Sequence, residues 1–380
     1  MGFRSRSLAA DPSSTVATRM IGLTLGRYLF IRFLKSILGV FATIVALIYL
    51  VDLVEMLRRA STLPNATALL VTWLCFLRVP SISEQVLPFA VLGGAMLAFV
   101  GLTRRLELVV ARAAGVSVWQ FLLPPVLAVG LIGIISTTIY NPLSAIMKDG
   151  ADQIETDLFG RRERNDGPSS LWIRQQSVDG QSIIRAERSS DQGKVLSGVS
   201  AFVFDEQNRF VERVEAAKAK LLPGVWQLED ARVSAIGEEP QLLGSYLLAT
   251  NLTPEQVTQS FVAAESVPFW SLLDVSKRTE TAGLDATQYR LRFQTLLARP
   301  LLLAAMVLVA ACFSLRFFRF GGISQMVSGG VASGFVLYVA TKLVGDLGGA
   351  GLLSTPVAAW SPAIVGSMLG TLVLLVQEDG

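Results

Sequence analysis

Residues 36–54 read SILGVFATIVALIYLVDLV, an apolar run in which Asp52 is the single charged side chain. At a rise of 1.5 Å per residue, a helix of this length is about 28 Å long, close to the ~30 Å hydrocarbon core of a bilayer. Arg27, Arg32 and Lys35 precede the run. The run begins too far from the N-terminus, and is too long, for a cleavable signal peptide, so we expect it to remain in the membrane as a signal anchor.

Five further apolar runs long enough to cross a bilayer follow the first one. They cover approximately residues 85–103, 119–139, 293–315, 322–345 and 356–376. Hydrophobic residues make up 52% of the 380 residues and charged residues 17%, against about 25% charged in an ordinary soluble domain. Because a stretch of ordinary polarity separates the first three runs from the last three, the sequence predicts an α-helical membrane protein with six transmembrane helices, arranged 3+3.

The second run leaves two topologies open, because apolar sequence already begins at about residue 67. One straight helix over 67–102 would be about 54 Å long, more than one crossing needs, whereas a hairpin of two spans needs more than about 40 residues. A single crossing over 85–103 places Arg104, Arg105 and Arg112 on the side of the arginine-rich N-terminus, as the positive-inside rule requires. We therefore predict the single crossing, with the first half of the stretch at or outside the interface and both termini in the cytoplasm.

Between the two groups of spans the pattern changes to short runs of alternating polarity. Examples are Leu171–Ile173, Ser182–Ala186, Val199–Phe204 and Val225–Leu228, with turn residues at Asp205 and at Pro223-Gly224. Short strands that are regularly separated by turns are typical of an all-β sandwich or barrel. The predicted parts are a flexible cytoplasmic tail over 1–24, spans over 25–140, a periplasmic β domain over 141–285 and spans over 286–380.

The composition excludes several classes of protein. The sequence contains no histidine, which rules out Ser-His-Asp and Cys-His nucleophiles and metal sites that need imidazole. A net charge of +3 is too balanced for a protein that wraps nucleic acid. Cys75 and Cys312 lie inside apolar runs, as buried structural thiols do. No G-x-x-x-x-G-K-[ST] pattern occurs, so an ATP-driven process would need a separate ATPase, and we predict no cofactor.

A short amphipathic segment follows the second span at about residues 104–115. Its apolar residues recur at i, i+3, i+4 and i+7, which predicts one apolar face of a short helix. They are Leu106, Val109, Val110 and Ala113. Two interpretations remain open for this segment, an interfacial helix in a solvated cytoplasmic loop and a docking helix for a cytosolic partner.

Charged residues near the outer ends of the spans are candidate substrate contacts. They are Asp52, Glu55, Arg58, Arg59 and Lys342. Charges in or near a membrane span are costly and usually functional, and cations at this level suit an anionic substrate that enters from the outer leaflet. Lys342 also lies four residues before Asp346, close enough on one helical face to pair with it. Snorkelling of side chains to the interface also explains Arg58, Arg59 and Asp346, whereas Lys342 lies deeper in its span.

Small residues recur at the spacing that lets helices approach closely. Gly330 and Gly334 form a GxxxG pair in the fifth span, and Gly366 and Gly370 form another in the sixth. Gly94 begins a similar pair of small residues in the second span. Such pairs predict close helix packing, but they do not identify a partner.

Several local motifs together carry a resemblance to a known family. They are Arg27-Tyr28, Glu55 with Arg58-Arg59-Ala60, Pro88-Phe89-Ala90, Arg105–Val110 with Ala113-Ala114-Gly115, Thr250–Gln256, Tyr289-Arg290, Arg299-Pro300-Leu301 and Phe313–Arg316. With the order of three spans, an external β domain and three spans, they resemble the lipopolysaccharide export permeases LptF and LptG over nearly the whole chain after about residue 20. The motifs most similar to the LptG branch are Gly351-Leu352-Leu353, Ala358–Pro362 and Glu378-Asp379-Gly380.

The resemblance implies a permease subunit that pairs with an LptF-like partner on a cytosolic ABC ATPase dimer. Such a complex takes lipopolysaccharide from the outer leaflet of the bacterial inner membrane and passes it to LptC- and LptA-like bridge proteins, and the β domain would be jellyroll-like. By resemblance, the segment with Arg105, Glu107, Val110 and Arg112 contacts the ATPase, and the cations at the outer level face lipid A phosphates. Asp52 stands where the family's first span often carries a basic residue.

Other functions remain open on the sequence alone. The chain fits the sister LptF-type subunit or another lipid or lipoprotein export permease, although lipoprotein-release permeases place their external domain after the first span. From a different class, a membrane sensor or scaffold would use the β domain to bind a partner without moving a substrate. A membrane hydrolase fits poorly, because the sequence has no histidine and no acid–base cluster within the spans.

Overall fold

A computed structural model describes residues 12–61, 66–159, 171–177, 180–190, 193–205, 207, 209–235, 237, 239–251, 263–281, 285–317 and 323–379. Most of the motif Thr250–Gln256 lies outside these residues. The helices are α1 (Pro12–Ala60), α2 (Ala68–Arg104), α3 (Glu107–Ala113), α4 (Val118–Ile135), α5 (Asn141–Phe159), α6 (Phe269–Thr281), α7 (Thr287–Phe317), α8 (Ile323–Gly349) and α9 (Thr355–Asp379). A π-helical turn (Ser136–Tyr140) joins α4 to α5.

Within these ranges, six helical segments are long and apolar enough to cross a membrane. They are Thr24–Ala60, Ala68–Arg104, Val118–Glu155, Thr287–Leu315, Val327–Gly349 and Thr355–Gln377. Three precede the β strands and three follow them, which confirms the predicted 3+3 architecture. α1 already begins at Pro12, inside the segment 1–24 that was predicted to be a flexible tail. Proline is tolerated in the first turn of a helix, and no other proline occurs within α1 to interrupt it.

The second span is one continuous helix, which excludes the hairpin. Thr67 caps its N-terminus, and Pro80 and Pro88 lie inside it. At 37 residues, α2 is about 55 Å long and exceeds the thickness of one bilayer. Its early turns carry the exposed and stacked rings of Trp73 and Phe76, whose centroids are 5.4 Å apart. The helix therefore continues through the part that we expected at or outside the interface.

The third span does not end at Asn141-Pro142, where the sequence predicts its end. Instead it passes through the π-helical turn and continues as α5. A proline has no backbone N–H and its ring crowds the preceding turn, and the wider π turn accommodates both effects. The Thr138 carbonyl, four residues before Pro142, accepts a hydrogen bond from the Trp270 indole N–H of α6 at 3.1 Å. The segment predicted to be the β domain therefore starts with a helix.

Between α5 and α6, the described chain forms one antiparallel sheet of six strands. The strands are β1 (Leu171–Ser177), β2 (Gly180–Ser190), β3 (Val195–Phe204), β4 (Phe210–Leu222), β5 (Val225–Ala235) and β6 (Gln241–Ala249), each paired with the next. This sheet confirms the predicted β domain, and the helices α5 and α6 occupy the two ends of the predicted range 141–285. The predicted turn at Asp205 is present as well, because its carboxylate accepts from the backbone N–H groups of Arg209 and Gln207 at 2.8 and 2.9 Å. These hydrogen bonds lower the pKa of Asp205.

The sheet curls so strongly that its first and last strands meet. In a flat sheet, β1 and β6 would lie about 24 Å apart. Instead, the Gln175 side-chain amide of β1 donates to the Ala249 carbonyl at the end of β6 at 3.2 Å, and its oxygen accepts from the Thr250 hydroxyl at 2.6 Å. Trp226 of β5 is fully buried and donates its indole N–H to the same oxygen at 3.2 Å. Side chains therefore fill the inside of the curled sheet.

Glycines allow very close helix contacts in the bundle. A β carbon at Gly94 of α2 would lie 2.5 Å from the Ile37 α carbon of α1, and one at Gly133 of α4 would lie 2.6 Å from the Pro300 α carbon of α7. The glycines of the two predicted GxxxG pairs face side chains of this chain: Gly330 faces Met96, Gly334 faces Leu92, Gly366 faces Leu337 and Gly370 faces Leu308. These glycines pack the chain's own helices against one another.

Candidate functional site

The segment predicted at about residues 104–115 contains the short helix α3. Leu106, just before it, has a φ of 58°, and this left-handed conformation turns the chain sharply between α2 and α3. On α3, the Glu107 carboxylate accepts from the Arg32 guanidinium at 3.0 Å and from the Tyr28 hydroxyl at 2.9 Å. Because Arg32 and Tyr28 belong to α1, this contact fixes α3 to the end of α1 that precedes the first span.

One face of α3 is open in the single chain. Leu108 is buried against the spans, whereas Leu106 is exposed and Val110 is 65% exposed. Arg105 and Arg112 are also exposed. Of the four residues predicted to form the apolar face, Val109, Val110 and Ala113 lie exposed on α3, whereas Leu106 lies before the helix in a left-handed conformation. Arg105 and Arg112 lie on either side of them.

Three of the predicted outer-level residues form one cluster at the end of α1. Glu55 forms ion pairs with Arg58 at 2.9 Å and with Arg59 at 2.7 Å, at the i,i+3 and i,i+4 positions. The side chain of Arg58 is 75% exposed. One carboxylate is thus paired with two guanidinium groups. The Glu55–Arg58–Arg59 cluster therefore carries a net positive charge.

Asp52 does not join this cluster but contacts neighbouring helices. Its carboxylate lies 4.0 Å from the Arg78 guanidinium of α2, and Arg78 also lies 3.7 Å from the Glu155 carboxylate of α5. Arg78 and Glu155 were not predicted as site residues. The three side chains link α1, α2 and α5, which gives Asp52 a contact between helices rather than an open position.

Lys342 lies on α8 and is exposed. The ion pair expected from its spacing to Asp346 is present, with Nζ 3.6 Å from the carboxylate oxygen. The Lys342 side chain remains 68% exposed. Among the residues that the structure describes, no ion pair joins it to the Glu55–Arg58–Arg59 cluster. The predicted outer-level cations therefore occupy separate helices.

A buried charged network, which the sequence did not predict, lies deeper in the bundle. Glu84 of α2 has a side chain only 3% exposed, and three donors point at its Oε1 atom. Arg299 of α7 lies 2.5 Å from this oxygen, Asn141 of α5 3.0 Å and Arg292 of α7 3.3 Å. Buried charges are costly unless they are paired, and those inside a membrane bundle are usually functional.

This Glu84 network also reaches the π-helical turn and α6. Arg299 donates to the Ser136 hydroxyl at 3.0 Å, and the Asn141 side-chain oxygen accepts from the Phe269 backbone N–H at 3.0 Å. The second and third spans, the fourth span and the helix that precedes it therefore meet at one point. π-Helical turns are frequent at such functional positions.

A proline next to the network adds a further link between helices. Pro300 has no N–H, so the Leu296 carbonyl, four residues earlier, has no backbone donor from that position. The Thr137 hydroxyl of the π-helical turn donates to this carbonyl at 2.9 Å. The backbone at the proline is therefore satisfied by a neighbouring helix.

A signal for the Glu84 network is present in the sequence. Glu84 interrupts the second apolar stretch, and Arg292 and Arg299 lie beside and inside the fourth run. Their pairing cannot be found from spacing, because 215 positions separate Glu84 from Arg299.

The sequence pattern of the family described as "Lipopolysaccharide export system permease LptF/LptG" matches residues 27–376. The chain belongs to this family. The LptF/LptG match runs through all six candidate spans and the β strands, and it confirms the resemblance that the local motifs indicate. A permease family also agrees with a transporter subunit rather than an enzyme.

Two proteins named lipopolysaccharide export system permease protein LptG are similar to this LptF/LptG chain. The one from Escherichia coli (strain K12) is 28% identical over 334 residues, which cover 85% of this chain and 90% of that protein. The one from Haemophilus influenzae is 26% identical over 372 residues, which cover 93% of this chain and 96% of that protein. Both similarities agree with the LptG-like motifs near the C-terminus.

In this LptF/LptG permease, one helix connects the two candidate regions. α1 contacts Glu107 through Arg32 and carries Glu55 further along. The rise of an α-helix puts Arg32 and Glu55 about 35 Å apart, roughly the thickness of a bilayer. α1 is uninterrupted between them.

Proposed function

We propose that this chain is an LptG-type transmembrane permease subunit of an ABC-type complex. The complex would extract lipopolysaccharide from the inner membrane and pass it to a periplasmic bridge for assembly of the outer membrane. The chain would lie in the bacterial inner membrane, with both termini in the cytoplasm and the β sheet in the periplasm. The observation that carries the proposal is the open apolar face of α3, which the Glu107–Arg32 ion pair attaches to the first span.

The proposed partners follow from this assignment. A cytosolic ABC ATPase dimer supplies the energy, since the chain has no P-loop sequence of its own. An LptF-like permease completes the transmembrane part as a heterodimer. LptC- and LptA-like bridge proteins receive the lipopolysaccharide from the periplasmic side, and nucleic acid has no part in the proposal.

In the proposed mechanism, α3 receives the motion of the ATPase. Val110 offers apolar contact, and Arg105, Arg112 and Glu107 offer charged contacts around it. Closure of the ATPase dimer then displaces α3, and Glu107 transmits the displacement through Arg32 to α1. Because α1 extends across the membrane, its outer end moves as well and narrows the space that holds the lipid.

The proposed substrate contacts lie at the outer level. Arg58 and Arg59, which share Glu55, would bind lipid A phosphates by charge-assisted hydrogen bonds, and Lys342 would approach them from α8. Asp52 would act indirectly by holding α1 against α2 through Arg78. Glu55 would keep the two arginines oriented, since it bonds to both.

Co-purification and reconstitution test the proposed function. The chain, purified in a neutral detergent, is expected to bring with it a P-loop ATPase and a second six-span protein in stoichiometric amounts. Reconstituted together, they should release lipopolysaccharide to an added bridge protein only when ATP is present. A chain that purifies without an ATPase, or releases no lipopolysaccharide, would support the sensor or scaffold alternative.

Charge reversal at Lys342 tests the proposed substrate contact. Lys342→Glu should lower photo-crosslinking of lipopolysaccharide to the purified complex by about two- to fivefold, a modest loss because the side chain is largely exposed. The matched control is Lys277→Glu, the same change at an exposed lysine of α6. Equal crosslinking in the wild type and in Lys342→Glu would show that Lys342 does not contact the lipopolysaccharide.

A further inference from the structure

The charges of the Glu84 network do not balance. It contains one carboxylate and two guanidinium groups, those of Arg292 and Arg299, so its net charge is +1. In the described part of the chain, Glu84 is the only carboxylate within ion-pair distance of either arginine. A charge inside a membrane bundle is strongly disfavoured without a partner, so an anion from outside the described chain would stabilise the network.

The two arginines differ in how completely their charges are paired and their N–H groups are hydrogen-bonded. Arg299 is nearly enclosed, with 10% of its side chain exposed, and it bonds closely to Glu84 and to Ser136. Arg292 lies further from Glu84, at 3.3 Å, and approaches an oxygen that already accepts from Arg299 and Asn141. The Nε atom of Arg292 is buried and has no hydrogen-bond partner. The surplus positive charge is therefore that of Arg292.

Arg292 can also be reached from outside the bundle, since 20% of its side chain is exposed. The position of Arg292 across the membrane indicates which kind of ligand can reach it. Along α2, the helical rise places Glu84 about 30 Å from Arg104, which is the thickness of a hydrocarbon core. With Arg104 at one membrane surface, Glu84 and Arg292 lie near the other. They are about 9 Å closer to the membrane centre than Arg78, which contacts Asp52 at the outer level, so a headgroup phosphate would reach Arg292 from that level.

We propose that Arg292 binds the phosphate of an acidic lipid headgroup in the outer leaflet, and that Glu84 positions it to do so. The guanidinium donates two parallel hydrogen bonds to phosphate oxygens, a geometry that arginine favours. This site is separate from the Glu55–Arg58–Arg59 cluster, which lies on another helix. The proposal rests on the membrane orientation in the proposed function, and it does not depend on the transported substrate.

The effect of acidic lipid on thermal stability tests this site. The full chain, with any subunits that co-purify, is heated in a neutral detergent with added phosphatidylglycerol or with the same amount of phosphatidylcholine. We expect phosphatidylglycerol to raise the Tm of the wild type more than phosphatidylcholine does, and Arg292→Gln to abolish this difference. Without acidic lipid, the Tm of Arg292→Gln should equal that of the wild type or exceed it by up to about 2 °C, because the variant lacks the unbalanced charge.

Arg290→Gln is the matched control, because it removes the same charge two residues away. Arg290 is exposed and pairs with Glu280 of α6, so the phosphatidylglycerol effect should persist in this variant. Arg292→Lys keeps the charge but not the planar pair of donors, and should retain part of the effect. Retention of the full effect by Arg292→Gln would overturn the proposal. An equal rise with inorganic phosphate alone would overturn the assignment to a lipid.

Discussion

Replacing Glu84 by alanine is expected to lower the free energy of unfolding by about 3–5 kcal/mol, because it leaves Arg299 buried without its counter-charge. The same change removes the acceptor for Asn141 and raises the net charge of the network. Two measurements check the loss, the Tm of the purified protein in detergent and the amount of folded chain recovered from membranes. A Glu84→Ala variant as stable as the wild type would show that the network does not hold the bundle together.

Two further variants separate the charge effect from a general effect of mutation. Glu155→Ala removes a partly exposed carboxylate that faces Arg78, and should cost no more than about 1 kcal/mol. The double variant Glu84→Gln with Arg299→Gln removes one charge of each sign. It should therefore be more stable than Glu84→Gln alone, since the net charge of the network returns to its wild-type value. If the double variant is the less stable of the two, pairing of the charges is not the reason for the loss.

Glu107→Arg is expected to abolish ATP-driven release of lipopolysaccharide, while the protein still inserts into the membrane. The new side chain faces Arg32, and the like charges repel where the wild type has an ion pair at 3.0 Å. Because α3 lies outside the spans, the change does not affect their packing. Release from proteoliposomes measures the coupling, and the membrane fraction measures insertion. Normal release would contradict the proposed role of α3.

The structure supplies a control that distinguishes two explanations for this loss. In the double variant Arg32→Glu with Glu107→Arg, the ion pair between α3 and α1 can form again with its charges exchanged. Because we propose that Glu107 contacts the ATPase as well as Arg32, restoring the ion pair alone should leave release absent. Full recovery of release would show instead that Glu107 acts only through Arg32 within this chain.

The sequence predicted the elements that depend on long, regular patterns. Six apolar runs of bilayer length gave the spans, and the alternation in segments such as Val225–Leu228 gave the sheet. Most of the exposed apolar face of α3 was also predicted, because residues three and four apart share a helix face, but Leu106 lies outside the helix. In these cases the signal lies within one element and needs no knowledge of its neighbours.

The features that the sequence did not reveal depend on contacts between distant segments. Pro142 predicts the end of a helix, but a π turn and the Trp270 indole from α6 allow the third span to continue. Glu84 acts through arginines more than 200 residues away in the chain, at a separation of 215 for Arg299. Similarly, the partner of Glu107 is Arg32 on α1, and no local pattern records that contact.

Two side-chain hydrogen bonds replace backbone bonds that proline removes from the third and fourth spans. Proline frees the carbonyls of Leu296 and Thr138, and side chains of neighbouring elements, Thr137 and Trp270, hold both. A helix usually resists bending because its own backbone bonds must break together. At each proline one backbone hydrogen bond is absent, and the side-chain bond in its place contributes only about 0.5–1.5 kcal/mol. The third and fourth spans thus each contain one position where the helix depends on a neighbouring side chain, and the hydrogen bonds of Asn141 and Arg299 lie directly beside these positions.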